Sequence, residues 1–222
     1  ASAAYCLSGM DFLNLKHSDD RVSFARVLQR GLGRDQGLYF PERIEPLEDI
    51  PDLLELPFVV RSARVLSHLT GLETATTQKL VAQAFDFPVE QPQLADGSYA
   101  LELFHGPSLA FKDFGARFLA ACLAEFTDGS ATTILTATSG DSGAAVAHAF
   151  HNIAGVQAVI LYPEGRISPL QEKLFCTLGD NIRTIAVQAD FDTCQAMVKQ
   201  EFDDPALRER LGLNSANSIN VA

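Results

Sequence analysis

The chain has 222 residues, of which 47% are hydrophobic and 20% charged. That composition excludes long disorder, collagen and coiled coil and leaves length for one or two domains with a sizeable core. A formal charge of −11 opposes binding to nucleic acid or an anionic membrane surface, while still allowing a local cationic pocket for a small anion.

Residues 1–9 have no basic n-region and are too short for a secretory signal, so they read as an extension ahead of a start at Met10. Residues 10–95 read as a mainly helical N-terminal domain. An apolar-periodic stretch from Ser23 is broken at Gly31, Gly33 and Gly37, and Leu38-Tyr39-Phe40 is a short apolar segment stopped by Pro41. Residues 58–69 carry a helical apolar face that Gly71 is placed to end, and residues 77–85 form a second short helix. Two prolines and Asp96-Gly97 mark residues 86–100 as loop and as the domain boundary.

From residue 96 to 222 the texture alternates. Residues 101–104 read as a short strand. Residues 112–126 read as a helix, with Phe111, Phe114, Phe118, Leu119 and Cys122 on one side. Then come a β-branched strand at 132–138, a small-residue helix at 142–150, an apolar strand at 156–162 and a helix at 169–178 closed by Gly179. A strand at 183–187 and a helix at 191–202 follow. Apolar-rich strands alternating with helices predict an α/β fold with a parallel sheet covered on both faces. No apolar run approaches the ~20 residues that span a bilayer. The isolated cysteines Cys6, Cys122, Cys176 and Cys194 match no zinc spacing. They read as buried thiols in a reducing compartment, so the expectation is a cytoplasmic protein with no metal site.

Two strand-to-helix junctions could carry chemistry. Ser139-Gly140-Asp141-Ser142-Gly143 opens a helix directly after a strand. Its glycines permit close backbone approach, and free N–H groups at a helix start attract a carboxylate or phosphate. The other reading is a plainly capped helix. At the second junction, His105-Gly106-Pro107-Ser108-Leu109-Ala110-Phe111-Lys112-Asp113, Lys112 stands at a helix start between two phenylalanines. The positive end of a helix and an apolar setting both favour a neutral, nucleophilic amine. The alternative is a lysine satisfied by Asp113 or by water. His105 reads as a structural hydrogen bonder, and His148 and His151 as surface or core residues.

The second junction closely resembles the cofactor-lysine motif of threonine synthases, pyridoxal-phosphate enzymes of the tryptophan-synthase β fold, and the first resembles their substrate-carboxylate loop. Gly31-Leu32-Gly33-Arg34-Asp35-Gln36-Gly37-Leu38-Tyr39-Phe40-Pro41, Gly165-Arg166-Ile167-Ser168-Pro169-Leu170-Gln171-Glu172-Lys173 and Asn214-Ser215-Ala216-Asn217-Ser218-Ile219-Asn220 also match. The likeness runs from Met10 to Asn220 and is nearest the bacterial form with an extended N-terminal domain. Serines stand at 108 and 142 where the family usually has threonine, a change that keeps the hydroxyl and loses a methyl group. Family members continue beyond the position of Asn220 with a glycine-rich phosphate cradle and a hydroxyl residue for the pyridine nitrogen. This chain therefore resembles an N-terminal portion of such a protein.

The resemblance implies a three-layer fold with its C-terminal part missing, and pyridoxal 5′-phosphate as cofactor. The reaction it implies converts O-phospho-L-homoserine and water to L-threonine and phosphate. Lys112 would hold the cofactor and act as the catalytic base, with Asp141 beside the cofactor's phenolic oxygen. Ser139, Gly140, Asp141, Ser142 and Gly143 would bind the substrate carboxylate. Arg166 and Ser168 either bind the substrate phosphate or are a solvated loop residue and a helix cap. Asn217, Ser218 and Asn220 either edge the site or shape a turn. The alternatives are a phospho-lyase that releases 2-oxobutyrate and an inactive fragment.

Overall fold

The computed structural model describes residues 10–127 and 129–216. Its first unit is a three-stranded antiparallel sheet in the order β2-β1-β3, made of Asp11–Asn14 (β1), His17–Ser23 (β2) and Tyr39–Pro41 (β3). Helix α1, Phe24–Arg30, lies between β2 and β3 and ends at Gly31. Helices Ile50–Glu55 (α2), Phe58–Thr70 (α3) and Thr74–Ala84 (α4) follow. The helical expectation thus describes residues 50–84, whereas residues 11–41 are sheet around one helix. The sheet went unread because β2, His-Ser-Asp-Asp-Arg-Val-Ser, is polar on both faces and has no alternating pattern to betray it.

A small hairpin, Gln93–Ala95 (β4) and Ser98–Tyr99 (β5), turns at Asp96-Gly97 inside the expected loop. The expected strand at 101–104 is absent. Its only ladder contact is a single antiparallel bridge between Glu102 and Glu90, and Leu101 and Phe104 point to solvent, so no apolar face holds it in a sheet.

The α/β unit comprises Lys112–Phe126 (α5), Thr132–Ala137 (β6), Asp141–Phe150 (α6), Val156–Pro163 (β7) and Pro169–Cys176 (α7). It continues through Ile182–Val187 (β8), Phe191–Phe202 (α8), Pro205–Leu211 (α9) and Leu213–Asn214 (β9). The strands lie in the order β8-β7-β6-β9, and every neighbouring pair is parallel. Period-two alternation sends Ile134, Ala158, Ile160 and Ile182 to one face, against α5, α6 and α7, and Leu135 and Leu161 to the other, against Cys194, Val198 and Phe202 of α8. Helix α6 is buried almost all round because its small residues, Gly143 to Ala147 and Ala149, let α5 and α7 close on it.

Phe12, Phe24, Val27, Leu28, Tyr39 and Leu80 belong to the same cluster as Ala116, Ile134 and Phe150, so residues 10–95 share a core with the α/β unit. On α5 the buried line is Asp113, Ala116, Ala120, Cys122 and Leu123; of the expected side, Cys122 is fully buried. Phe114 and Phe118 sit half-buried in an aromatic cluster with Phe58, Phe85 and Phe87, where ring centroids are 4.9–6.4 Å apart, and Phe111 is exposed. Among the described residues, no helix is long and apolar enough to cross a membrane.

Candidate active site

Helix α5 runs into β6, and α6 runs out of it. Both helices therefore travel antiparallel to β6 and begin at its carboxyl end, packed side by side. That end of a parallel sheet is where open α/β folds lodge ligands. Lys112 is the first residue of α5 and Asp141 the first of α6, and the turn bearing Arg166 leaves the carboxyl end of the adjacent strand β7.

The 139–143 junction is held from below by Thr138. Its buried Oγ1 accepts hydrogen bonds from Gly140 N at 2.9 Å and Gly143 N at 2.8 Å. The N–H groups of Ser139, Asp141 and Ser142 have no acceptor among the described residues. Gly140 has φ 139° and ψ −82°, a conformation that glycine adopts without strain and side-chain-bearing residues do not. A Cβ there would also strike the Gln171 side chain. Gln171 in turn donates from Nε2 to Asp141 Oδ1 at 2.8 Å, so the 139–143 and 165–173 motifs touch directly.

Ser168 caps α7 in a full capping box: its Oγ accepts from Gln171 N, and its own N–H donates to Gln171 Oε1, each at 3.2 Å. Arg166 is exposed, and its guanidinium makes no hydrogen bond among the described residues. Its charge helps hold the Asp190 carboxyl below its ordinary range, a shift due first to the hydrogen bonds from Thr193.

Lys112 is half-buried, and its Nζ makes neither hydrogen bond nor ion pair among the described residues. It lies 5.1 Å from the centroid of the Phe111 ring. Asp113 does not pair with it. That carboxylate is fully buried, and its Oδ2 accepts from Ser108 N at 2.9 Å. Among the described residues, the buried side-chain atoms Ser108 Oγ, Asp113 Oδ1 and His148 Nε2 have no hydrogen-bond partner. Burial holds His148 below the ordinary histidine range, opposed by the Asp113 charge and by a hydrogen bond to the Leu174 backbone. His105 Nε2 meets Glu102 Oε2 at 2.7 Å. Glu90 adds a third carboxyl-or-imidazole group, with ligand atoms within 4.8 Å of one another, and Glu90 is exposed.

A cavity of about 700 Å³ also opens beside the end of β6, lined by Thr136 and Ala137, by Val198 and Phe202 of α8, and by Lys16 and Gln36. It lies on the α8 face, and Lys112 does not line it. Asn217, Ser218 and Asn220 lie outside the described residues. Asn214 and Ser215, from the same motif, are buried and bonded within the fold.

Sequence reasoning missed the roles of Thr138, Gln171 and Asp113. A threonine at the end of a strand, two residues before a glycine that must start a helix, is the available signal for the first. The capping box Ser168-x-x-Gln171 was the signal for the second.

A family model described as pyridoxal-phosphate dependent enzyme matches residues 90–218. The chain belongs to that family, and its cofactor is pyridoxal 5′-phosphate. Within that class its likeness is to threonine synthases. It is 58% identical over 215 residues to the threonine synthase of Haemophilus influenzae, covering 96% of this chain and 51% of that protein. The crystal structure of threonine synthase from Escherichia coli matches with a TM-score of 0.90 at 53% identity, over 96% of this chain and 50% of that one. Pyridoxal-phosphate-bound threonine synthase from Brucella melitensis gives 0.83 at 32% identity, over 96% and 48%. The chain spans about half the length of the curated relatives it matches.

The residues present fit the cofactor. An aldehyde needs an amine free of competing hydrogen bonds and ion pairs, and among the described residues Lys112 Nζ makes neither. An anionic group needs uncommitted N–H donors at a helix start, which Ser139, Asp141 and Ser142 supply.

Proposed function

We propose that the whole protein is a threonine synthase. It would convert O-phospho-L-homoserine and water to L-threonine and phosphate, by loss of phosphate from the γ carbon and addition of water at the β carbon. The observation that carries this reading is the Lys112 amine, with no hydrogen bond or ion pair among the described residues, set at a helix start on the same sheet end as the 139–143 amides. The identity with threonine synthases across 96% of the chain supports it.

When bound, pyridoxal phosphate supplies the electron sink that makes protons at the substrate carbons removable. Lys112 is the residue that would hold it, and its Nζ is the base placed to move protons at the α and β carbons. The N–H groups of Ser139, Asp141 and Ser142, at the positive end of α6, orient the substrate carboxylate. Gly140 and Gly143 set the backbone shape that presents them. Asp141, fixed by Gln171, is the residue that would face the cofactor's phenolic oxygen. The unpaired guanidinium of Arg166 takes the substrate phosphate, for which its donor fork is suited. Ser168 shapes that turn through its cap. The protein acts in the cytoplasm on a small molecule.

In the full-length gene product, borohydride reduction with bound cofactor should fix the label on the peptide containing Lys112. Lys112→Ala should lose the yellow absorbance and about three or more orders of magnitude in turnover. Label on another lysine would sink the assignment. Supplied with O-phosphohomoserine, the enzyme should give threonine and phosphate; 2-oxobutyrate and phosphate would identify a phospho-lyase instead.

A further inference from the structure

No hydrogen bond or ion pair among the described residues aims Lys112 Nζ, which has the exposed Phe111 ring 5.1 Å away, so the path of the backbone ahead of α5 decides where the amine emerges. That path is unusual. Leu109 N donates to Gly106 O at 3.0 Å to close a turn, and Leu109 itself takes φ 59°, the left-handed region that disfavours a leucine. The Leu109 side chain is exposed, so its own packing does not compensate for the strain.

Asp113 stands under this turn. Its Oδ2 accepts from Ser108 N at 2.9 Å, and Gly106 rides on the same carboxylate. A Cβ on Gly106 would lie 2.8 Å from Asp113 Cβ and Cγ and would strike Oδ2. The carboxylate is 0% exposed, and among the described residues its Oδ1 has no hydrogen-bond partner and it forms no salt bridge. The next cation along α5 after Lys112, Arg117, is committed to Asp86 at 2.6 Å and to the carbonyls of Ala84 and Gln83. Burying a carboxylate on one hydrogen bond is costly, and an apolar residue would pack α5 more cheaply. What Asp113 supplies in return is one rigid link from the first turn of α5 to the residues on the far side of Lys112.

We infer that Asp113 is a positioning residue: through Ser108 N and the close seat of Gly106 it holds the 106–111 turn in its strained shape and so fixes where the Lys112 amine meets the cofactor. This rests on the reading of Lys112 as the cofactor lysine.

The test uses the full-length apoprotein mixed with pyridoxal phosphate, quenched with borohydride at intervals, with the label mapped by peptide. The readout is the rate of capture on Lys112 at one fixed pH, alongside the denaturant midpoint. Asp113→Ala removes a charge-assisted acceptor and should slow capture about tenfold or more. Gly106→Ala breaks the same contact from the turn side, in a loop, and should slow capture to a similar degree at a near-native midpoint. Asp113→Asn keeps an oxygen for Ser108 N and should capture at close to the wild-type rate. Gly106→Ala should add little in the Asp113→Ala background, because the two remove one coupling.

Wild-type capture in both Gly106→Ala and Asp113→Ala would overturn the inference. So would an Asp113→Asn protein that folds normally yet captures as slowly as Gly106→Ala. If Asp113→Ala does not fold, the contrast between Gly106→Ala and Asp113→Asn decides alone. Wild-type label on a different lysine would instead overturn the Lys112 reading itself, and this inference with it.

Discussion

Single residues set the chemistry of the carboxyl end of β6, and Thr138 does so without touching a ligand. It is buried and is the acceptor for two glycine N–H groups that the helix start leaves orphaned. Thr138→Val keeps the shape and removes the acceptor, stranding two buried donors. It should cost about 1–3 kcal/mol, read as a lowered denaturant midpoint, whereas Thr138→Ser should retain most of the stability. His148 gives a pH signature. Its folded value lies below the unfolded value of about 6.5, so the unfolded chain takes up the proton first as pH falls. Stability should therefore decline as pH drops from about 7 towards 5, and His148→Phe should flatten that decline. At this scale the sequence exposed Lys112 and the 139–143 loop because their residue types announce their chemistry. Asp113 and Thr138 stayed hidden because their role depends on which N–H groups the fold brings to them.

At the scale of elements, legibility follows apolar pattern. Helix α5, strand β6 and helix α8 fall within a residue of their expected bounds, since each has a sustained period or a β-branched run. Strand β2 and the short β9 have no such run and are held by pairing with β1 and β6. Caps are the other local determinant. Ser168→Ala removes the hydroxyl half of the α7 capping box and should cost about 1 kcal/mol, measured by chemical denaturation. Arg166→Ala, in the same segment, should leave that midpoint in place and raise KM for the phosphate ester, because the side chain is exposed and bonded to nothing among the described residues.

Across the whole molecule, a buried amide ties α1 to the α/β unit, beside the shared core and the bonds from Gln29 to Phe126 O and from Arg208 to Leu32 O. Asn214 Nδ2 donates to Leu28 O at 2.5 Å, 186 residues away, while its Oδ1 accepts from Ser215 N at 2.7 Å. Gly31 ends α1 at φ 65° directly against this side chain. Gly31→Ala would add both left-handed strain and a collision with Asn214, and should lower stability by about 2 kcal/mol or more in a urea titration. The same tie orders the birth of the fold. On a ribosome, α1 emerges long before Asn214, so the carbonyl of Leu28 must wait for its partner while the chain grows by 186 residues. Helices α3 and α4 can form while the chain lengthens, but closing β6 against β9 and sealing α1 are late, long-range events. The nascent protein is therefore exposed to misassembly at the edge of β6 until the segment around residue 214 has cleared the exit tunnel.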